Sequence, residues 1–184
     1  MKERPILFNG EMMRAILEGR KTQTRRILKP TAQDKWLFDG RWSDDYIKNP
    51  GNYVVEHCPY GKPGDLLWVK ETFCSDGVNV WYRADNNPGF ENANWQPSIH
   101  MPRWASRIKL EVVNVRVQRV QDISESDALQ EGYLGLNPHY SMSAPSEASA
   151  RAWYEWLWNS INEIGYGWDF NPFVWVVEFK RVTA

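Results

Sequence analysis

The sequence predicts an α+β domain: a small mixed β-barrel with helices packed outside it and long loop insertions. Three observations lead there. Stretches in which apolar and polar residues alternate outnumber stretches of helical periodicity. The strands are not separated by regular helical crossovers, which argues against a doubly wound parallel sheet. The clearest strand, Ile108 to Val117, changes phase: Ile108, Leu110 and Val112 alternate, and Val113, Val115 and Val117 then alternate with opposite parity. Such a flip marks a β-bulge or sharp bend near Val112, a device by which small barrels turn a corner.

The elements follow in order. Asn9 to Glu18 predicts a helix with Asn9 as N-cap, an apolar stripe of Met12, Met13, Ile16 and Leu17, and Gly19 as its C-terminal glycine. Thr22 to Leu28 predicts a strand ended by Pro30. Turn residues dominate the next thirty positions, from Asp34 to Asn49-Pro50-Gly51. Lys62-Pro63-Gly64-Asp65 is a tight turn leading into a strand, Leu66 to Phe73. Val78 to Arg83 is a further strand. Ser124 to Glu131 reads as a short helix whose Ser124 and Asp127 resemble a capping box, closed by Gly132. Ser146 to Ile164 predicts a second long helix with Trp153, Trp156, Leu157, Ile161 and Ile164 on one face. Phe173, Trp175, Val177 and Phe179 alternate along a final strand. The whole, residues 1–184, reads as a single domain with insertions near 31–60, 84–106 and 133–150.

Composition narrows the function. The formal net charge is −1, so the chain is not a generally basic nucleic-acid coat, and attraction to phosphate must come from a local patch. The N-terminus has no long apolar stretch, and Phe173 to Val177 is too short to span a bilayer, so neither a signal peptide nor a membrane segment is expected. Cys58 and Cys74 do not make a disulfide framework, and a reduced, cytoplasmic protein is expected. His57, Cys58, Cys74 and His100 match no zinc spacing, and no metal or cofactor is expected. Most of the eleven tryptophans are expected in the core, with some free to stack on bases.

The densest polar chemistry is Gly19-Arg20-Lys21-Thr22-Gln23-Thr24-Arg25-Arg26. Lysine is the basic side chain whose pKa moves most readily on burial, and a hydroxyl beside a base is a standard nucleophile. In a pure strand Lys21 and Thr24 would point to opposite faces. Joint action therefore requires Lys21 to lie in the turn after Gly19, or its side chain to curl back. The bland reading of the same cluster is a solvated basic strand edge.

The pattern Gly19-x-Lys21-x-x-Thr24-x-Arg26 after a short helix resembles the signature of ASCH domains, relatives of the PUA fold. Gly64-Asp65-x-Leu67-x-Val69 and the closing Val176-Val177-Glu178-Phe179 are similar to the family as well. Cys58-Pro59-Tyr60-Gly61 and the run Pro97 to Trp104 resemble a longer ASCH-like group of bacteriophages and prophages. The common motif has Glu where this chain has Thr24. The small bacterial N4-acetylcytidine amidohydrolases of the family also read Gly-Arg-Lys-Thr-x-Thr. That resemblance implies a PUA-like barrel and three catalytic residues: Lys21 as base, Thr24 as nucleophile, and a glutamate best matched by Glu131, with Glu125 and Glu71 as competitors. Arg26 or a backbone amide would steady the oxyanion. Glu71 would meet an exocyclic amine, with Tyr82, His100 and Arg103 lining the substrate site.

Two other readings stand beside it. The pocket could hold RNA or a modified nucleotide without turnover, with Lys21, Arg25, Arg26 and Lys29 on phosphate or a base edge and Trp68, Tyr82 or Trp104 stacking. The chain could also be a phage structural protein indifferent to Lys21 and Thr24. The expected ligand is a nucleoside or RNA; protein partners are not legible.

Overall fold

A computed structural model describes residues 1–29, 57–90, 92–134 and 149–182. Its sheet is built from β1 (Glu3–Leu7), β2 (Gln23–Ile27), β3 (Leu66–Lys70), β6 (Lys109–Arg119) and β7 (Phe173–Arg181), in the order β1-β3-β6-β7-β2. β1 and β3 run parallel, and the other neighbours are antiparallel. A separate hairpin pairs β4 (Phe73–Ser75) with β5 (Val80–Tyr82). The helices are α1 (Gly10–Leu17), α2 (Glu125–Gln130) and α3 (Ala150–Tyr166).

The α+β class is as expected, but the described strands do not close into a barrel. The order ends on β1 and β2, and no backbone pairing joins those two edges among the described residues. A side chain spans them instead: Arg26 Nη2 donates to the Leu7 carbonyl at 2.5 Å. Nor is β1 predicted from sequence. Pro5 sits at its centre among charged residues, a composition that hides a strand. On a sheet edge the missing proline N–H is tolerated.

The bulge near Val112 is present. Val112 faces Phe179, Asn114 faces Glu178, and Val113 is the extra residue. It explains the phase flip: Leu110, Val112, Val115 and Val117 all enter the same core, while Val113 is exposed. The strand expected over Leu66 to Phe73 breaks after Lys70, and Phe73 opens the hairpin. Among its described residues, the insertion at 84–106 contains short 3-10 turns and a single bridge from Gln96 to Phe73. The insertions near 31–60 and 133–150 lie largely outside the described residues.

The sheet separates two cores. Ile6, Phe8, Met13, Leu67, Leu110, Val112, Trp175, Val177 and Phe179 pack on one face. Val174 and Val176 pack with Val120, Tyr154, Leu157, Trp158 and Trp168 on the other. β7 is therefore buried on both faces, not one, because α3 covers the side on which Val174 and Val176 stand. The buried stripe of α3 is Ala150, Tyr154, Leu157 and Trp158; Trp153 and Trp156 are partly buried, and Ile161 is exposed. Each fully buried aliphatic side chain contributes about 1.5–3 kcal/mol, whereas a buried ion pair nets little against its desolvation. The cores hold the sheet, and the ion pairs described below must be explained by something else.

Among the described residues, no helix is long and apolar enough to cross a membrane.

Candidate functional site

Lys21 is placed by the end of α1. Asn9 caps that helix by accepting from the Met12 amide at 2.8 Å. Gly19, at φ 76°, then reverses the chain. The amides of Arg20 and Lys21 both donate to the Ala15 carbonyl, at 2.9 and 3.0 Å. Lys21 thus lies in the turn, ahead of β2, which is the placement that joint action with Thr24 requires. The next amide, Thr22, donates to the Gln130 carbonyl at 2.9 Å and fastens the turn to the last residue of α2.

Glu131 caps α2 and meets Lys21 directly. Lys21 Nζ donates to Glu131 Oε2 at 2.6 Å and to the Glu131 carbonyl at 2.9 Å. The Lys21 side chain is 0% exposed and that of Glu131 3%. Gly132 permits this approach. It has φ 107°, and a Cβ there would stand 3.0 Å from Ala15 Cβ and 3.4 Å from Lys21 Cβ. Burial pushes the Lys21 ammonium below the ordinary lysine range. Glu131 opposes that shift, and Arg26 and Arg25 add to it.

β2 divides its residues between the two faces of the sheet. Thr24 and Arg26 stand opposite Val177 and Trp175, on the face of the first core. Thr24 is 2% exposed. The Arg26 guanidinium lies 5.3 Å from the Phe8 ring centre, and Lys21 Nζ lies 5.8 Å from the same ring. Phe8 therefore marks the place where Lys21 and the Thr24–Arg26 face converge. Gln23 and Arg25 point the other way, opposite Glu178 and Val176. Arg25 Nη1 donates to Glu131 Oε1 at 3.1 Å and to Gln23 Oε1 at 2.5 Å, and its Nη2 donates to Asp127 Oδ2 at 3.0 Å. Arg116 joins from β6, donating to Asp127 and to Glu178. Arg25 was a candidate phosphate holder, but its side chain is wholly buried and held by Glu131, Asp127 and Gln23.

The remaining candidates fall into two other groups. Glu71 is buried and faces Arg107, which donates to both its carboxylate oxygens at 2.9 and 3.0 Å. Arg107 also donates to Asp85 and lies 3.9 Å over the Tyr82 ring. The Tyr82 hydroxyl donates to the Ala105 carbonyl at 2.8 Å. Burial pushes the Glu71 carboxyl up despite Arg107. Arg103 donates twice to Glu3 and lies 5.7 Å from Trp68, while His100 is exposed in a 3-10 turn. Glu125 is exposed and accepts from the Arg151 amide. The structure thus brings Lys21, Glu131 and Arg26 to one place, with Thr24 on the face that Arg26 shares. Glu71 with Tyr82, and Arg103 with Glu3 and Trp68, form separate clusters.

Sequence reasoning missed Phe8, Asp127 as an ion-pair partner, Arg107 and Asp85. Only Asp127 carried a signal, its capping box with Ser124, which is present in full. No group of three or more potential metal ligands occurs among the described residues.

Comparison with family models and with curated proteins returns no match. Two solved structures are similar to the chain. One is an ASCH domain from Lactobacillus crispatus JV V101, at 12% identity and a TM-score of 0.45, covering 98% of this chain and 79% of that one. The other is a protein from Enterococcus faecalis V583 assigned to DUF984, at 12% identity and a TM-score of 0.40, covering 94% of this chain and 66% of that one.

Proposed function

We propose that the chain is an amidohydrolase acting on an N-acylated pyrimidine nucleoside or base, such as N4-acetylcytidine, on a PUA-like scaffold of the ASCH type. The observation that carries this reading is the 2.6 Å contact between Lys21 Nζ and Glu131 Oε2, two side chains that are almost wholly buried. A lysine with a depressed pKa can serve as a base near neutral pH. A solvated strand edge would leave the same side chain in water. The motif resemblance supplies the third member, Thr24.

The roles follow from the chemistry. Thr24 Oγ1 attacks the acyl carbonyl while the neutral Lys21 amine takes its proton. Arg26 steadies the negative charge that develops on the carbonyl oxygen. Glu131 delivers a proton to the departing exocyclic nitrogen. Lys21 then passes its proton to Glu131, and water hydrolyses the acyl-threonine ester, giving its proton to Lys21 while Glu131 reprotonates the Thr24 oxygen.

A second reading, a binding module for RNA or modified nucleotides of phage origin, has one observation in its favour. Trp104 is 66% exposed, next to Arg103 and its Trp68 contact, an arrangement on which a base can stack. The deciding experiment is hydrolysis of N4-acetylcytidine by the wild-type protein, Lys21→Ala and Thr24→Ala. Turnover that both variants lose is expected. A folded wild type without turnover on acylated pyrimidines favours the binding module.

A further inference from the structure

We propose that Arg25 is a positioning residue that pins Glu131 Oε1, leaving Oε2 as the carboxylate oxygen that exchanges a proton with Lys21. The inference rests on the amidohydrolase reading of Lys21, Thr24 and Glu131. It starts from how the two oxygens are divided: Lys21 Nζ holds Oε2 at 2.6 Å, and Arg25 Nη1 holds Oε1 at 3.1 Å. A guanidinium keeps its protons at every accessible pH, whereas an ammonium can release one. Proton traffic is thereby confined to one side of the carboxylate. In the step itself an N–H bond of the Lys21 ammonium breaks and an O–H bond forms on Oε2. The products are a neutral amine and a neutral acid, with no proton gained or lost by the pair. The amine is then free for the Thr24 hydroxyl proton, and the acid for the leaving nitrogen.

Arg25 is itself fixed from every side. Gln23 Oε1 accepts from Nη1 at 2.5 Å, Asp127 Oδ2 accepts from Nη2 at 3.0 Å, and the Tyr154 ring of α3 lies 5.7 Å from the guanidinium carbon. Asp127 is held in turn by Arg116 and Gln23, each at 3.2 Å. Arg25 Nε is buried without a hydrogen-bond partner. An unpaired buried donor costs free energy, and the side chain accepts that cost to keep its two terminal nitrogens on Glu131 and Asp127. The charged and titratable groups facing the pair are Arg25 and Arg26 from β2, Asp127 from α2 and Tyr154 from α3.

The test follows Lys21 itself, so it does not depend on turnover. Lysines carrying 13C at Cε are introduced into the full chain, and the Lys21 resonance, assigned by its loss in Lys21→Arg, is titrated in wild type, Arg25→Gln and Arg25→Lys. Arg25→Gln removes both charge and pin, and the Lys21 titration is expected to rise by about one unit or more. Arg25→Lys keeps the charge in place but not the fork. Glu131 then turns both oxygens toward Lys21, and a smaller rise, roughly half a unit, is expected. A Lys21 titration in Arg25→Lys that equals wild type, or falls, overturns the proposal, because charge alone would then account for Arg25. The pH profile of kcat/KM on N4-acetylcytidine is recorded alongside, its alkaline limb expected to move with the Lys21 titration, because loss of that proton leaves the pair no acid for the leaving nitrogen. A missing turnover with the titration shifts present counts against the amidohydrolase reading and not against the pinning of Glu131.

Discussion

Two glutamates of this molecule are almost fully buried and each faces an arginine: Glu131 at the end of α2 and Glu71 after β3. Glu71 gives both oxygens to Arg107, which is also shared with Asp85 and stacked on Tyr82. No partner in that cluster readily gives up a proton, since Asp85 and Glu71 hold the Arg107 guanidinium even more firmly protonated. Glu131 divides its oxygens between an arginine and a lysine, and burial pushes that lysine toward the neutral form. On the proposed reading, the difference between a clip and a proton-moving pair is one side chain type at one contact. Glu71 ties the end of β3 to the residues before β6; Glu131 ties α2 to a group that can change its charge.

The largest expected effect sharpens this contrast in turnover. Lys21→Ala is expected to lower kcat/KM on N4-acetylcytidine by about 10³-fold, the ordinary worth of a positioned base, while Glu71→Gln stays within about twofold. An equal loss in both variants would erase the distinction and return Glu71 to the substrate site. Stability should separate the two next. Glu131→Ala leaves Lys21 and Arg25 buried without that carboxylate and is expected to cost about 3–5 kcal/mol in chemical denaturation. Glu71→Ala should cost less, about 1–2 kcal/mol, since Arg107 is partly exposed and keeps Asp85. Gly132→Ala attacks the approach that only the first pair needs. Its positive φ and the 3.0 Å contact with Ala15 Cβ predict a loss of about 2 kcal/mol, read as a lowered melting temperature.

The smallest effect is in the pH dependence of stability, and its sign differs between the pairs. Lys21 has a folded pKa below its unfolded value, so the unfolded chain binds more protons between the two values. Stability rises with pH through that window, up to about the ordinary lysine value. Glu71 has a folded pKa above its unfolded value, so the folded chain binds more protons, and stability falls as pH rises from the ordinary glutamate range to the raised value. Denaturation midpoints measured across pH should lose the alkaline rise in Lys21→Met and the acidic fall in Glu71→Gln, each without the other.

Much of this was legible in the residues because it is local. The Asn9 cap, the Ser124–Asp127 capping box, the bulge at Val112 and the turn that carries Lys21 depend on neighbours a few positions apart, and each is where the pattern puts it. β1 was illegible because its partner β3 lies some sixty residues away and its own composition argues against a strand. The burial of Arg25 was illegible for the same reason: a run of charges reads as a solvated face until Glu131 and Asp127 arrive from α2. Among the described residues, the β1 and β2 edges are joined by the Arg26 side chain and not by a backbone ladder, a long-range contact that no local pattern announces.

The strand order has a consequence for how the molecule comes into being on the ribosome. β2, which carries Thr24 and follows directly on Lys21, has β7 as its neighbour in the sheet. Until residues 173–181 have been synthesised, the early half of the site has no strand to lie against. Its lysine and arginines wait for that strand, and the site takes shape only once β7 lies between β6 and β2.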